Sequence, residues 1–171
     1  MKDSLFFEQL PKEEVFEQIE KYISSIVRIQ HKDMTRPWGG FLVIEEEDAE
    51  KFITQFFNHL TKDELSISGK LSPKILLVEP GKKLSWQYHH RRAEIWKLIS
   101  GRAGVITSDD DKEKDVLLLE PGDLVELKQG ERHRLIGLDK WGIVAEIWRH
   151  TDVDNPSDEE DIVRLQDDFG R

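Results

Sequence analysis

Residues 74–148 break into eight short apolar or alternating runs: KILLVEP, KLSWQYH, EIWKLISG, AGVITSDDD, DVLLLEPG, LVELKQG, HRLIGL and GIVAEIW. Turn signals cut them at Pro80-Gly81, Gly101, Asp109 to Asp111, Pro121-Gly122, Gly130 and Asp139. Short alternating strands at such regular spacing fold as an antiparallel sandwich or barrel, because each strand has one face to bury and a tight turn to reverse it. Upstream, Val15, Phe16, Ile19, Ile23, Ile26 and Val27 form one apolar stripe within residues 12–30, which predicts an amphipathic helix entered after Pro11. The stripe is expected to pack on the barrel or across a homodimer contact. Pro37 and Gly39-Gly40 punctuate a strand from Phe41 to Ile44, and residues 48–60 return to helical period through Phe52, Ile53, Phe56, Phe57 and Leu60.

A chain of 171 residues supports one domain with a real core. We divide it into an N-terminal helical extension, 1–33, and a barrel, 34–171, that ends in a docked tail. That tail, from Asp152 onward, is acidic but spaces Ile162, Val163, Leu165 and Phe169, so a packed segment is expected over a disordered one. The 35 acidic and 25 basic residues give a net charge of −10, which argues against nucleic acid as a partner. Locally the balance reverses: Lys82, Lys83, Arg91, Arg92, Arg132 and Arg134 flank the candidate site described next, which points to an anionic small molecule. Cysteine is absent, so disulfides, iron–sulfur clusters and thiolate zinc sites are excluded. With no apolar stretch suited to a signal peptide or a membrane span, the expectation is a cytoplasmic protein without a membrane partner.

Within 80–101, PGKKLSWQYHHRRAEIWKLISG, a strand would turn Gln87 and His89 to one face, with Tyr88 and His90 on the other. Glu94 follows shortly after, and His133 comes after a glycine-rich turn in EPGDLVELKQGERHRLIG. Imidazole, carboxylate and amide donors suit a divalent first-row metal, and four protein ligands leave room for water or substrate. Gln87, His89, Glu94 and His133 are therefore the candidate ligands of one mononuclear centre.

The run Gly81, Gln87, His89, Glu94, Gly101 resembles the first motif of the cupin superfamily, and Gly122, Gly130, His133 the second. This implies a mainly β, double-stranded β-helix (jelly-roll) barrel, here with an N-terminal helix and a short helical insert. Gln87 stands where the first motif usually has His, Lys128 where the second expects Pro, and Gly137 where it expects Asn. A narrower resemblance is to the C-terminal, cupin-type isomerase domain of bifunctional mannose-6-phosphate isomerase/mannose-1-phosphate guanylyltransferases, the type II phosphomannose isomerases. Arg36-Pro37-Trp38-Gly39 matches the family's entry; Pro80, Gly81, Leu84, Ser85, Gln87, His89, His90, Arg92, Ala93, Glu94, Trp96 and Gly101 match the second block. Gly130, His133 and Leu135 match the third, and Glu160 to Arg164, Asp168, Gly170 and Arg171 match the tail. The resemblance spans 34–171, interrupted by the insert near 48–60. Arg91 and Ile95 stand where the family has His. The glycine-rich nucleotide loop of the guanylyltransferase half is absent, which argues against nucleotide transfer by this sequence.

The resemblance implies a metal-dependent sugar-phosphate isomerase that interconverts mannose 6-phosphate and fructose 6-phosphate, with one divalent ion: zinc first, then Mn, Fe, Co or Ni. The alternative is a non-catalytic cupin that binds a sugar or sugar phosphate in a regulatory role. An oxygenase reading is weakened by Gln87. Isomerisation needs a polarised carbonyl, a base and a phosphate anchor. Arg92, next to Ala93-Glu94, is the first choice for orienting the sugar or stabilising an oxyanion, with a structural ion pair to an acid of the tail as its other reading; Arg36 and Lys83 follow. Sequence alone names no base. Of the five tryptophans, Trp96 shares the phase of Glu94 and is expected to wall the metal pocket, with the others in packing roles.

Overall fold

The computed structural model describes residues 10–66 and 69–170; residues 1–9 of the extension and Arg171 of the tail motif lie outside the described residues. The helices are α1 (Lys12–Ser24), α2 (Ala49–Phe56) and α3 (Lys62–Leu65). Among the described residues nine strands follow the order β1 (Ile29–Asp33), β2 (Gly39–Ile44), β3 (Lys74–Val78), β4 (Trp86–Tyr88), β5 (Arg92–Ser108), β6 (Leu117–Leu119), β7 (Leu124–Leu127), β8 (Arg132–His150) and β9 (Val163–Gln166). Every pairing is antiparallel. One path runs β1-β2-β3-β8-β4-β9, while β5 pairs with β6, β7 and β8. The long strands β5 and β8 pair from Arg92↔His150 to Ser108↔Arg132, so they run through both ends of the barrel.

Two of the turns expected from sequence are bends within continuous strands. Gly101 does not end a strand: β5 passes through it with register shifts at Leu98/Ser100 and Gly101/Ala103. Its φ of +77° and the approach of the Trp141 carbonyl, 1.7 Å from where a Cβ would sit, restrict the position to glycine. Asp139 likewise lies inside β8. Gly137, the departure from the family's Asn, is explained by close packing: a Cβ there would lie 2.0 Å from the Glu79 carbonyl oxygen.

Period-two alternation separates two cores. Phe41 of β2, Leu76 and Val78 of β3, Trp96 and Leu98 of β5 and Val144 of β8 fill the barrel interior. Their neighbours Leu42, Ile75, Leu77, Ile95, Ile143 and Ile147 face outward and are covered by α1 and α2. Buried on both sides, β3 reads as a continuous apolar run after Lys74. Val15, Phe16, Ile19 and Ile23 of α1 are fully buried in the outer cluster, each contributing about 1.5–3 kcal/mol.

Helix α1 is shorter than the expected 12–30. Acidic Glu13 and Glu14 suit its first turn, but Ser25 folds its hydroxyl back onto the Tyr22 carbonyl, and the β-branched Ile26, Val27 and Ile29 that follow favour extended backbone. The chain re-enters as β1, so the extension itself supplies an edge strand paired with β2. The insert is also shorter than 48–60: Phe57 leaves helical geometry to bury its ring against Phe52, and a separate turn, α3, capped by Thr61, follows. The acidic tail docks as β9 against β4. Among the described residues no helix is long and apolar enough to cross a membrane.

Candidate metal centre

Three of the four expected ligands converge. His89 follows β4, Glu94 points inward from β5, and His133 stands on β8, in register with Gln87 of β4. Their ligand atoms lie within 4.8 Å of one another, and all three side chains are buried. His89 Nε2 is 3.2 Å from His133 Nε2 and 3.2 Å from Glu94 Oε1, and His133 Nε2 is 3.7 Å from Glu94 Oε2.

The hydrogen bonds behind the cluster set its chemistry. Nδ1 of His89 lies 2.6 Å from the Asp161 carbonyl oxygen, and Nδ1 of His133 lies 2.9 Å from that of Glu131. A carbonyl oxygen only accepts, so both Nδ1 atoms carry protons and both Nε2 atoms turn lone pairs toward each other. Two lone pairs at 3.2 Å repel unless a cation or donor stands with them; Arg92 Nη2, 3.3 Å from His89 Nε2, meets one of the two, and a bound divalent ion would meet both. Glu94 Oε2 is buried without a hydrogen-bond partner. This donor set fits a divalent ion, and the carbonyl-bound Nδ1 protons are the usual orienting contacts of metal-ligating imidazoles. Burial alone would raise the Glu94 carboxyl, but the Arg92 guanidinium leads the groups that outweigh it and hold the carboxyl well below its usual range. Burial pushes His133 down to about 4 against the opposing pull of Glu94, so at neutral pH it is the neutral imidazole a ligand must be.

Gln87 sits beside this group with its oxygen turned away. Its Oε1 accepts a 2.6 Å hydrogen bond from the Ser85 hydroxyl, leaving its amide nitrogen 3.4 Å from His89 Nε2. Rotating the amide would exchange the two atoms.

A cavity opens on the cluster, lined by Gln87, Arg92 and Glu94, by Trp38, Phe41, Trp96 and Trp148, and by Arg36, Lys74 and Glu146 among others. Arg92 is buried and fully engaged. Its Nε donates to Glu94 Oε1 at 2.8 Å, Nη1 to the Ser157 hydroxyl at 2.8 Å and the Asp158 carbonyl at 3.0 Å, and its plane lies 3.6 Å over the Trp148 ring. It thus ties the ligand Glu94 to the tail through neutral groups of Ser157 and Asp158. Arg36 reaches the cavity from the segment before β2, paired with Asp33. Lys83 does not line it and pairs with Asp168 at 3.7 Å. Of the six cations expected around the site, Arg92 alone lines this cavity. Arg91 faces Asp158 and Asp161, Arg132 Asp111, and Arg134 Glu113.

The two missing family histidines lose much of their weight here. Ile95 belongs to the outer cluster, on the opposite face of β5 from Glu94, and Arg91 lies outside the cavity wall. Trp96 walls the cavity as expected, but so do Trp38 and Trp148, which sequence reasoning placed in packing roles.

Sequence reasoning also missed Glu146 and Lys74. The carboxyl of Glu146 takes the indole N–H of Trp96 on Oε2 at 2.8 Å and that of Trp148 on Oε1 at 2.9 Å. Burial pushes it up to about 8, with Glu94 adding to the rise and Lys74 and Arg92 opposing it. The available signal was phase: Glu146 stands between Val144 and Trp148 at the inward positions of GIVAEIW, and Lys74 two before Leu76. A charge in the inward phase of a buried strand is a candidate site residue.

Residues 53–167 match the family described as mannose-6-phosphate isomerase C-terminal. Among curated proteins the chain is 31% identical over 143 residues to the xanthan biosynthesis protein XanB of Xanthomonas campestris pv. campestris and 32% identical over 143 residues to the alginate biosynthesis protein AlgA of Pseudomonas aeruginosa. Each alignment covers 82% of this chain, which spans about a quarter of the length of those relatives, 24% and 23% respectively. Among solved structures, a single-site variant of Bacillus subtilis oxalate decarboxylase superposes with a TM-score of 0.54 at 19% identity, over 79% of this chain and 30% of that one. The capsular polysaccharide assembling protein CapF of Staphylococcus aureus gives 0.51 at 14%, over 80% and 34%. These last two establish the barrel fold alone. With its motifs, its antiparallel barrel and a match over two thirds of its length, the chain belongs to the mannose-6-phosphate isomerase C-terminal family and has a cupin fold.

Proposed function

We propose that the protein is a metal-dependent aldose–ketose isomerase acting on a sugar phosphate, with mannose 6-phosphate and fructose 6-phosphate as the pair. The observation that carries this reading is one cavity lined both by Glu94, the carboxylate of the His–Glu–His donor set, and by a second buried carboxyl, Glu146. His89, Glu94 and His133 would hold the ion, with Gln87 beside them, and a divalent ion bound there supplies Lewis-acid polarisation of the sugar carbonyl. Arg92 keeps the Glu94 carboxylate aimed, and its flat guanidinium over Trp148 forms a wall against which the sugar is oriented. Arg36 contributes positive charge for the phosphate. Lys83, outside the cavity wall and paired with Asp168, has no part in this assignment.

Moving hydrogen between C1 and C2 requires a group that takes a proton from one carbon and returns it to the other. Glu146 is our assignment: it lines the cavity with Glu94, burial raises it to about 8, and two indole donors fix it in place, which fits a carrier that accepts and releases a proton in one cycle. The zinc-loaded protein should exchange solvent deuterium into C2 of mannose 6-phosphate. No exchange with Zn, Mn, Fe, Co or Ni on mannose, fructose or heptulose phosphates would refute the isomerase assignment and favour the non-catalytic sugar-phosphate-binding alternative.

A further inference from the structure

Lys74 is the odd residue of β3: the four that follow it are apolar, yet its ammonium is drawn inside, 3.8 Å from the centre of the Trp148 ring and 5.1 Å from that of Phe41. It forms an ion pair with Glu159, carried by the tail between β8 and β9. The pair is lopsided, with the Lys74 side chain 7% exposed and that of Glu159 54%. A buried ammonium needs an anion beside it, whereas a carboxylate already half in water loses little by leaving.

Lys74, Trp148 and Glu159 line two cavities at once. The inner one, which holds Glu94 and Glu146, measures about 80 Å³, and the outer about 390 Å³. Small-molecule sites occupy roughly 300–1,000 Å³. The inner cavity is too small for a hexose phosphate while the ion pair stands in the wall it shares with the outer one.

We propose that Lys74 is the anion receptor of this site and Glu159 its internal stand-in: a phosphate monoester takes Lys74 from Glu159, and the departure of Glu159 joins the two cavities into one. A phosphate monoester carries roughly −1.5 to −2 charge against −1 for a carboxylate, so it competes well for the same ammonium. Arg36, 5.3 Å over the Phe41 ring that Lys74 also approaches, adds a second positive charge on the inner wall. The inference rests on the sugar-phosphate reading only for the sugar; the exchange at Lys74 concerns the phosphate.

Isothermal titration of the zinc-loaded wild type, Glu159→Gln, Lys74→Gln and the double variant with mannose 6-phosphate, inorganic phosphate and mannose tests it. Glu159→Gln should bind both phosphate compounds about tenfold more tightly, because the closed fraction no longer competes. Mannose, which lacks the anion and gains only from the opened cavity, should tighten less than either phosphate compound, and Lys74→Gln should erase the extra gain of the phosphate compounds in the double variant. Inorganic phosphate following this order while mannose 6-phosphate binds no variant would uphold the latch and count against the substrate assignment. Equal or weaker phosphate binding by Glu159→Gln overturns the latch, including the case in which that variant only loses thermal stability, as a purely structural ion pair would.

Discussion

Truncating Asp161 tests whether the tail is a structural part of the metal centre. Its Oδ1 accepts from the His90 backbone N–H at 2.9 Å, and its Oδ2 from the Arg91 N–H at 3.0 Å and the Ser157 hydroxyl at 2.6 Å. Asp161→Ala strands those donors in a buried corner. Hydrogen bonds to a charged group contribute about 1.5–3 kcal/mol each, but the Ser157 hydroxyl can rotate and the loop can admit water, so we expect a loss of about 3–5 kcal/mol. For a chain of this size that corresponds to a melting temperature lower by about 6–20 °C. Asp161→Asn keeps the shape and one acceptor oxygen and should lose about 1–3 kcal/mol. Burial alone would raise the Asp161 carboxyl, but Ser157, His90 and Arg91 together lower it below 3.8. A depressed carboxyl stabilises the fold above its unfolded value and loses that contribution as pH falls through its folded value. The gap between wild type and Asp161→Ala should therefore be constant from pH 7 to about pH 5 and close only below about 3.9. Urea unfolding followed by tryptophan fluorescence measures it. A difference under about 0.5 kcal/mol at pH 7 would refute the reasoning.

His89→Ala should abolish stoichiometric zinc or cobalt binding with the far-ultraviolet dichroism unchanged, and Gln87→Ala should weaken binding less, since its oxygen rests on Ser85; metal analysis of the purified variants decides, and stoichiometric ion in His89→Ala overturns the centre. Ile19→Asp places a charge in the fully buried stripe of α1 and should lower stability by at least the roughly 1.5–3 kcal/mol of the lost burial, so an unchanged unfolding midpoint would show that α1 is not held by this face. Glu146→Gln should retain metal and fold while C2 exchange falls by about 100-fold or more, and full exchange in that variant would remove Glu146 as the proton carrier.

The barrel was legible because its signal is local. Alternation and turn residues are written into consecutive positions, and so is the spacing that brings His89 and Glu94 together. His133 was reachable because a glycine-rich turn announced the strand that carries it. The helix ends failed for a local reason too: the apolar stripe of residues 12–30 continues past Ser24, and periodicity cannot tell that Ile26 and Val27 still pack on the core after the helix has stopped. Glu146 and Lys74 escaped because their role depends on which strand lies opposite: Glu146 is Cα partner to both Trp96 and Lys74, a pairing across distant segments that no spacing encodes. Arg92 had been left between orienting a sugar and pairing with an acid of the tail; its Nε holds the Glu94 carboxylate and its Nη1 the Ser157 hydroxyl and the Asp158 carbonyl, so it reaches the tail without an ion pair.

Both histidines of the candidate centre owe their tautomer to main-chain carbonyls, of Asp161 and Glu131, rather than to side chains. Any residue could replace Glu131 by mutation without changing which nitrogen of His133 carries the proton, so that determinant is robust to substitution and invisible to sequence comparison. Its vulnerability is to deletion. A frameshift or proteolytic cut after β8 would leave most of the barrel strands in place and remove in one event the acceptor that orients His89, leaving nearly the same barrel with its candidate donor set disarmed.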